Sequence, residues 1–253
     1  MDGFKIINYF KCVTATLLLL LAGCNNDAAP ECFTATGTAV NYNMEVPEFT
    51  AIHVSAGIEL VVVEADEQSL TIATGENIKE YITAEVIDGT LWLTNANNCN
   101  WVHIYNTTTI TVATPNLEKI FTATQFAVRS QGVLHFPSLS IQSGLISETS
   151  SGTVNLNVDS QLFTVEDNQN LYCILSGYVE NLTVNFYSGD ARFDGTALNS
   201  KNVEVFHRSS NDIIVRAENQ VTGTINSTGN LVLLNHPPVV DVQQVYTGRV
   251  VYE

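Results

Sequence analysis

From residue 50 onward the chain alternates apolar and polar positions with a period of two. In "AIHVSAGIELVVV" (51–63), Ile52, Val54, Ala56, Ile58, Leu60 and Val62 fall on one face. Alternate residues of a strand point to opposite sides of a sheet, so this pattern predicts strands with one side turned to a core. "AEVIDGTLWLT" (84–94) places Asp88-Gly89 between two such runs. A two-residue Asp-Gly turn accepts positive φ at both positions, and it predicts an antiparallel hairpin. Helical signals are nearly absent; "ENIKEYI" (76–82) is long enough for one or two turns.

Beyond residue 110 a longer period is laid over the alternation. "LEKIFTAT", "LSIQSG", "LFTVEDN", "LTVNFYSGDARF", "VEVFHRSSNDIIV" and "VTGTINSTGNLVL" share a short apolar strand and a polar turn, most with a second strand after the turn. Aligning them on Ile120, Ile141, Val165, Val184, Val205, Ile225 and Val245 gives spacings of 21, 24, 19, 21, 20 and 20 residues. A repeat of about 20 residues whose turn chemistry also recurs predicts a β-solenoid. No coil buries its own apolar side, but stacked coils bury it together. A β-sandwich, with strands and turns every 8 to 12 residues, is the competing architecture. The expected class is therefore all-β: a right-handed, β-helix-like solenoid whose N-terminal part contains an antiparallel hairpin.

The first residues are of another kind. Lys5 and Lys11 precede an apolar run from Val13 to Ala22, which ends in Leu21-Ala22-Gly23-Cys24. Ten apolar residues are too few for a membrane-spanning helix and fit a signal peptide. "LAGC" resembles the lipobox of bacterial lipoproteins, which implies acylation of Cys24 and cleavage before it. The predicted organisation is a signal peptide over 1–23, a lipidated Cys and tether over 24–44, and a solenoid domain over 45–253. A lipid anchor would then hold the chain on a membrane without a spanning helix. An outer-membrane lipoprotein is expected, with the cell surface favoured over the periplasmic face.

The full chain carries a formal charge of −16. Without residues 1–23 it has 25 acidic and 8 basic side chains. Such a balance repels phosphates and argues against nucleic acid as a partner. Cys32, Cys99 and Cys173 remain after Cys24. An envelope location permits disulfides, and the polar settings of Cys32 and Cys99 make them the expected pair. Cys173, inside "LYCILSG", is expected to be a buried thiol.

Two stretches carry a resemblance. "FTAIHVSAGIELVVVEAD", "ATGENIKEYITAEVIDGTLWLTN" and "CNW" follow one another in the order seen in the head GIN domain of autotransporter-type adhesins, and "STGNLVLLNHPPVVDVQQVYTGRVVYE" is similar to that family's last strands. His236-Pro237-Pro238 stands where the family usually has Gly-x-Pro. The resemblance covers 45–253. It implies a right-handed β-solenoid-like fold in a cell-envelope lipoprotein, and it offers no catalytic residues to carry over.

Chemical motifs are sparse. The sequence has no CxxC, HxxxH or HExxH and no G-x-S-x-G, so no metal, cofactor or serine-nucleophile site is predicted. Asp190 and Asp194 in "SGDARFDG" would share a strand face about 13 Å apart, too far for a glycosidase pair unless a turn shortens the gap. Asp beside Gly at a solenoid corner, bonding nearby amides, is the simpler reading, and Asp212 repeats the pattern. His53, His103 and His135 are expected on outward strand positions. Trp92 lies between Leu91 and Leu93 and should face away from them; Trp101 and Tyr105 follow nearby. These three aromatics either cap an end of the solenoid or stack on a sugar. The expected function is non-catalytic: an envelope-anchored, adhesin-like module binding a glycan or another envelope protein. An enzyme using Asp190 and Asp194 on polysaccharide, and a structural spacer, are the alternatives.

Overall fold

The computed structural model describes residues 36–97, 108–145 and 150–253. The described strands, in chain order, are β1 (Ala39–Asn43), β2 (Ala51–Val54), β3 (Ile58–Glu64), β4 (Ser69–Gly75), β5 (Ile82–Ile87), β6 (Thr90–Asn95), β7 (Thr108–Thr114), β8 (Lys119–Thr122) and β9 (Val128–Leu134). They continue with β10 (Ser138–Ser143), β11 (Thr153–Asp167), β12 (Tyr172–Phe186), β13 (Arg192–His207), β14 (Ile213–Val215), β15 (Ala217–Ile225), β16 (Leu231–Leu233), β17 (Val239–Gln244) and β18 (Val250–Tyr252). A short 3-10 helix, Glu76–Tyr81, occupies the predicted helical stretch.

The strands form two walls. One runs β5-β6-β2-β8-β10-β11-β12-β13-β15-β17. The other runs β1-β4-β7-β3-β9-β11-β12-β13-β14-β16-β18. Strands β11, β12 and β13 are long enough to serve both: the first half of each pairs in the second wall and the second half in the first. From β8 onward the chain therefore winds from wall to wall in successive parallel coils, as the 20-residue repeat predicts. The fold is a β-solenoid with antiparallel strands in its N-terminal part.

The antiparallel strands sit where the turn chemistry placed them. β5 and β6 pair antiparallel, with Ile87 opposite Thr90. Between them Asp88 has φ 49° and Gly89 φ 73°, as a primed turn requires. β1 and β4 are also antiparallel, with Tyr42 opposite Ile72, and β4 pairs antiparallel with β7.

The interior is a stack of aliphatic rows. Leu91, Ile52, Ile120, Ile141, Val165, Val184 and Val205 are cross-strand neighbours in that order, and none is more than 2% exposed. Burying one such side chain contributes roughly 1.5–3 kcal/mol. The predicted equivalences therefore hold from Ile120 through Val205. The last two do not: Gly223, not Ile225, lies across from Val205, and Val242 follows it. Gly223 has φ 132°, and a Cβ there would meet the Val205 carbonyl oxygen at 1.9 Å. The last coils are shorter than the alignment assumed, and the close approach is made by a residue with no apolar side chain to align on. Ala56 also departs from its predicted face: it lies exposed in the turn between β2 and β3.

Several changes of wall are corners held by polar contacts. The Ser150 hydroxyl donates to the Thr124 carbonyl at 2.7 Å, Ser188 to that of Asn168 at 2.5 Å, and Ser209 to that of Ala191 at 2.5 Å. Asn235 pairs with Ala217 at both the N–H and the carbonyl, standing in for a strand neighbour. Lys201 and Glu180, on successive bends of β13 and β12, form a surface ion pair at 3.0 Å.

Candidate functional site

The outward face of β6, β2 and β8 carries an aromatic row. Leu91 and Leu93 point inward and are fully buried, so the intervening Trp92 points out and is 36% exposed. In-register pairing sets His53 beside Trp92 on one side and Phe121 on the other. The Trp92 and His53 rings stack at 4.2 Å with 22° between their planes. The Phe121 ring is tilted, 6.4 Å from His53, and the Lys119 ammonium lies 5.3 Å from its centre.

His53 faces outward, as its alternation predicts, yet it is only 6% exposed because its neighbours cover it. Burial lowers its pKa below the ordinary histidine value. The ring is therefore neutral at pH 7. Among the described residues, neither of its nitrogens has a hydrogen-bond partner. The exposed Trp92 indole, backed by the buried His53 ring, can stack on the apolar face of a sugar and donate its N–H to a hydroxyl.

A second feature was not legible as a motif. The loops before β2, after β3 and after β7 meet the β5–β6 turn in a cleft of about 530 Å³. Glu48, Thr50, Asp66, Gln68, Thr114 and Asn116 contribute to its lining, and no lining side chain is basic. Thr50 is joined to the hairpin through its N–H to the Gly89 carbonyl at 3.0 Å. Gly89 is three residues from Trp92, roughly 10 Å along β6. Residues so far apart in sequence converge only through the stacking of coils.

The carboxylates weighed for hydrolysis do not form a pair poised for catalysis. Asp190 lies in the turn before β13, its N–H donating to the Gln169 carbonyl at 2.7 Å. Asp194 lies inside β13 beside an irregularity in the ladder, not at the corner. One of its oxygens accepts from the Thr196 N–H at 3.0 Å and the Thr196 hydroxyl at 2.5 Å; the other accepts from the Tyr172 hydroxyl at 3.4 Å. Burial alone would raise the Asp194 pKa, but Thr196, Arg192 and Tyr172 outweigh it and hold the group below the usual carboxylate range. A general acid would need the opposite shift. Asp212 does have the corner role, accepting from the Asn230 N–H at 2.7 Å, but its in-register neighbourhood is that of Arg192, not Asp190.

Cys173 is fully buried and its thiol is pushed above the ordinary range by burial, so it is an inert core residue. His135 is exposed and pairs with Glu64 on β3. Cys24, Cys32, Cys99, Trp101, His103 and Tyr105 lie outside the described residues. Among the described residues there is no cluster of three metal-ligating side chains, and no helix long and apolar enough to cross a membrane.

Solved structures share this fold. A "putative adhesin" from Bacteroides fragilis NCTC 9343 is 18% identical, with a TM-score of 0.77 over 85% of this chain and 97% of its own. A "putative adhesin" from Parabacteroides distasonis ATCC 8503 is 13% identical, with a TM-score of 0.63 over 86% and 98%. A "putative lipid binding protein" from the same strain is 15% identical, with a TM-score of 0.61 over 86% and 98%. At these identities the likeness is one of fold. Comparison with curated proteins returned no match. Residues 48–237 match the family described as "Putative auto-transporter adhesin, head GIN domain", and the chain belongs to that family.

Proposed function

We propose that this protein is a non-catalytic, adhesin-like module that a lipid on Cys24 tethers to the outer membrane, and that it binds a glycan on the outward face of β6, β2 and β8. The observation that carries the reading is the exposed Trp92 indole stacked on the neutral, unpartnered His53 ring. An aromatic exposed on a strand between two buried leucines adds nothing to the core on that side; it offers a platform. The acidic cleft with Glu48 and Asp66 extends the surface and favours neutral or amino-bearing sugars over anionic ones.

Binding of the full chain to an array of neutral, amino and acidic glycans tests this. Retention of a neutral or amino-bearing glycan, weakened about 10-fold or more by Trp92→Ala, is the expected result. Equal binding by the Trp92→Ala protein, or turnover of the glycan abolished by Asp194→Asn, contradicts it.

A further inference from the structure

The two ends of the solenoid differ. At the N-terminal end the parallel coils are closed by antiparallel strands, β5 against β6 in one wall and β1 against β4 in the other. At the other end β17 and β18 are the last strands of their walls, with described neighbours on one side only. The Val245 N–H donates to the Ile225 carbonyl, and the Glu253 N–H to that of Leu233. Residues two apart in a ladder face the same neighbour. The N–H and C=O groups of Val240, Val242 and Gln244 therefore point away from β15, and those of Val250 and Tyr252 away from β16. Among the described residues, only the Val250 N–H is met, by the Gln244 side-chain oxygen at 3.4 Å.

The same end is apolar and nearly uncharged. Of the eleven large apolar side chains exposed among the described residues, Val239, Val245, Tyr246, Val251 and Tyr252 lie in the last two strands and their connecting turn. Val240, Val242 and Val250 belong to the interior rows yet are only partly buried. Residues 219–253 carry two acids, Asp241 and Glu253, and one base, Arg249, in a chain of net charge −16. Natural edge strands are usually guarded by charges, prolines or covering segments.

We infer that the β17–β18 end is an isologous interface at which two copies of this chain join end to end, β17 pairing antiparallel with its twin and β18 with its twin. Three features select a second copy. The end presents two open edges with a core between them, and a second copy brings the same two edges and the same core to meet them. A two-fold axis normal to the walls reverses strand direction but keeps each wall on its own side, so both edges are continued at once. Two strongly acidic molecules repel where their charged surfaces meet, and this end brings few charges together. A register that sets Asp241 across from Gln243 of the partner subunit keeps the two carboxylates apart. The pairing supplies partners for the outward N–H and C=O groups and closes the interior over Val240, Val242 and Val250.

Density-matched sedimentation equilibrium of the detergent-solubilised full chain tests the inference. The wild-type protein is expected at twice the mass of one chain. Val242→Lys, which aims a charge into the joint core, is expected to raise the dissociation constant at least 10-fold with the near-ultraviolet dichroism retained. Val133→Lys, exposed on β9 away from this end, is expected to remain dimeric. If Val242→Lys loses its fold, Tyr252→Lys on the exposed ring replaces it. A wild-type chain that stays monomeric at 100 µM, or a dimer indifferent to these β17 and β18 substitutions, overturns the inference. So does a monomer whose Val240 and Val242 amides resist hydrogen exchange, because another segment of the chain would then cover the edge.

Discussion

The indole of Trp92 lies flat on the imidazole of His53, with 4.2 Å between ring centres, although 39 residues of chain separate them. The contact exists because β6 is laid beside β2 in parallel register, out of chain order. Replacing Trp92 with alanine removes an exposed ring and none of the interior. Glycan affinity is expected to fall about 10-fold, since an aromatic stacking contact contributes roughly 0.5–1.5 kcal/mol beyond the area it buries. The melting temperature should change little. Isothermal titration and differential scanning calorimetry on the same samples separate the two effects.

His53 itself reports on the cover. Burial holds its pKa below the ordinary histidine value. Trp92→Ala exposes the ring and should move its titration upward, toward about 6.5. The imidazole signals of the two proteins, followed by NMR from pH 4 to pH 8, give the comparison. Identical titrations would mean that Trp92 does not shield the ring.

The interior rows predict unequal costs for similar substitutions. Ile141→Ala deletes a fully buried side chain in the middle of the stack and should cost about 2–5 kcal/mol. Gly223→Ala adds a single methyl, but at φ 132° and against a backbone oxygen, and should also destabilise by more than about 1 kcal/mol. Urea unfolding with an unchanged slope measures both. A neutral Gly223→Ala would contradict the close approach of this position to the Val205 carbonyl.

Two buried ionisable groups, Asp167 and His207, lie in one cross-strand row on either side of Phe186 and should act oppositely on stability. The His207 ring is buried, and desolvation lowers its pKa to about 4. The unfolded chain takes up that proton near pH 6.5, so His207 favours the fold fully above pH 6.5 and progressively less as the pH falls toward 4. The loss is at most about 3 kcal/mol. His207→Phe should flatten that part of the stability curve.

Asp167 is fully buried, and desolvation raises its pKa despite hydrogen bonds from Gln169 and Ser143. Its charged form opposes folding. That cost is absent below the unfolded value near 3.8 and grows as the pH rises from there through the raised folded value. Asp167→Asn is therefore expected to be more stable than wild type at pH 7, with the advantage fading below about pH 4. Thermal melts of the two proteins across pH 3 to 8 decide it.

Much of the architecture was legible because the rules that make it are local. Asp88-Gly89 specifies its turn by backbone conformation alone, and the stacked Ile and Val positions from Ile120 to Val205 recur because each coil must bury the same side. The alignment lost its register at Gly223, where a residue without a side chain occupies the stacked position. His53 illustrates a different limit. Alternation gave its outward direction, but its burial depends on Trp92 and Phe121 from strands 39 and 68 residues away. The cleft around Glu48 and Asp66 was illegible for the same reason: its loops meet only after the coils stack. Asp194 looked like a repeated corner acid, but the irregularity in β13 places it within a strand, gripped by Thr196.

The most direct test of glycan recognition at the aromatic row uses the indole N–H signals of the full chain in a ¹H–¹⁵N spectrum. The sequence has two tryptophans, so Trp92→Phe assigns both signals. Titration with a glycan retained on the array should shift the Trp92 signal in step with binding. A glycan that binds while the Trp92 signal stays fixed would contradict the account.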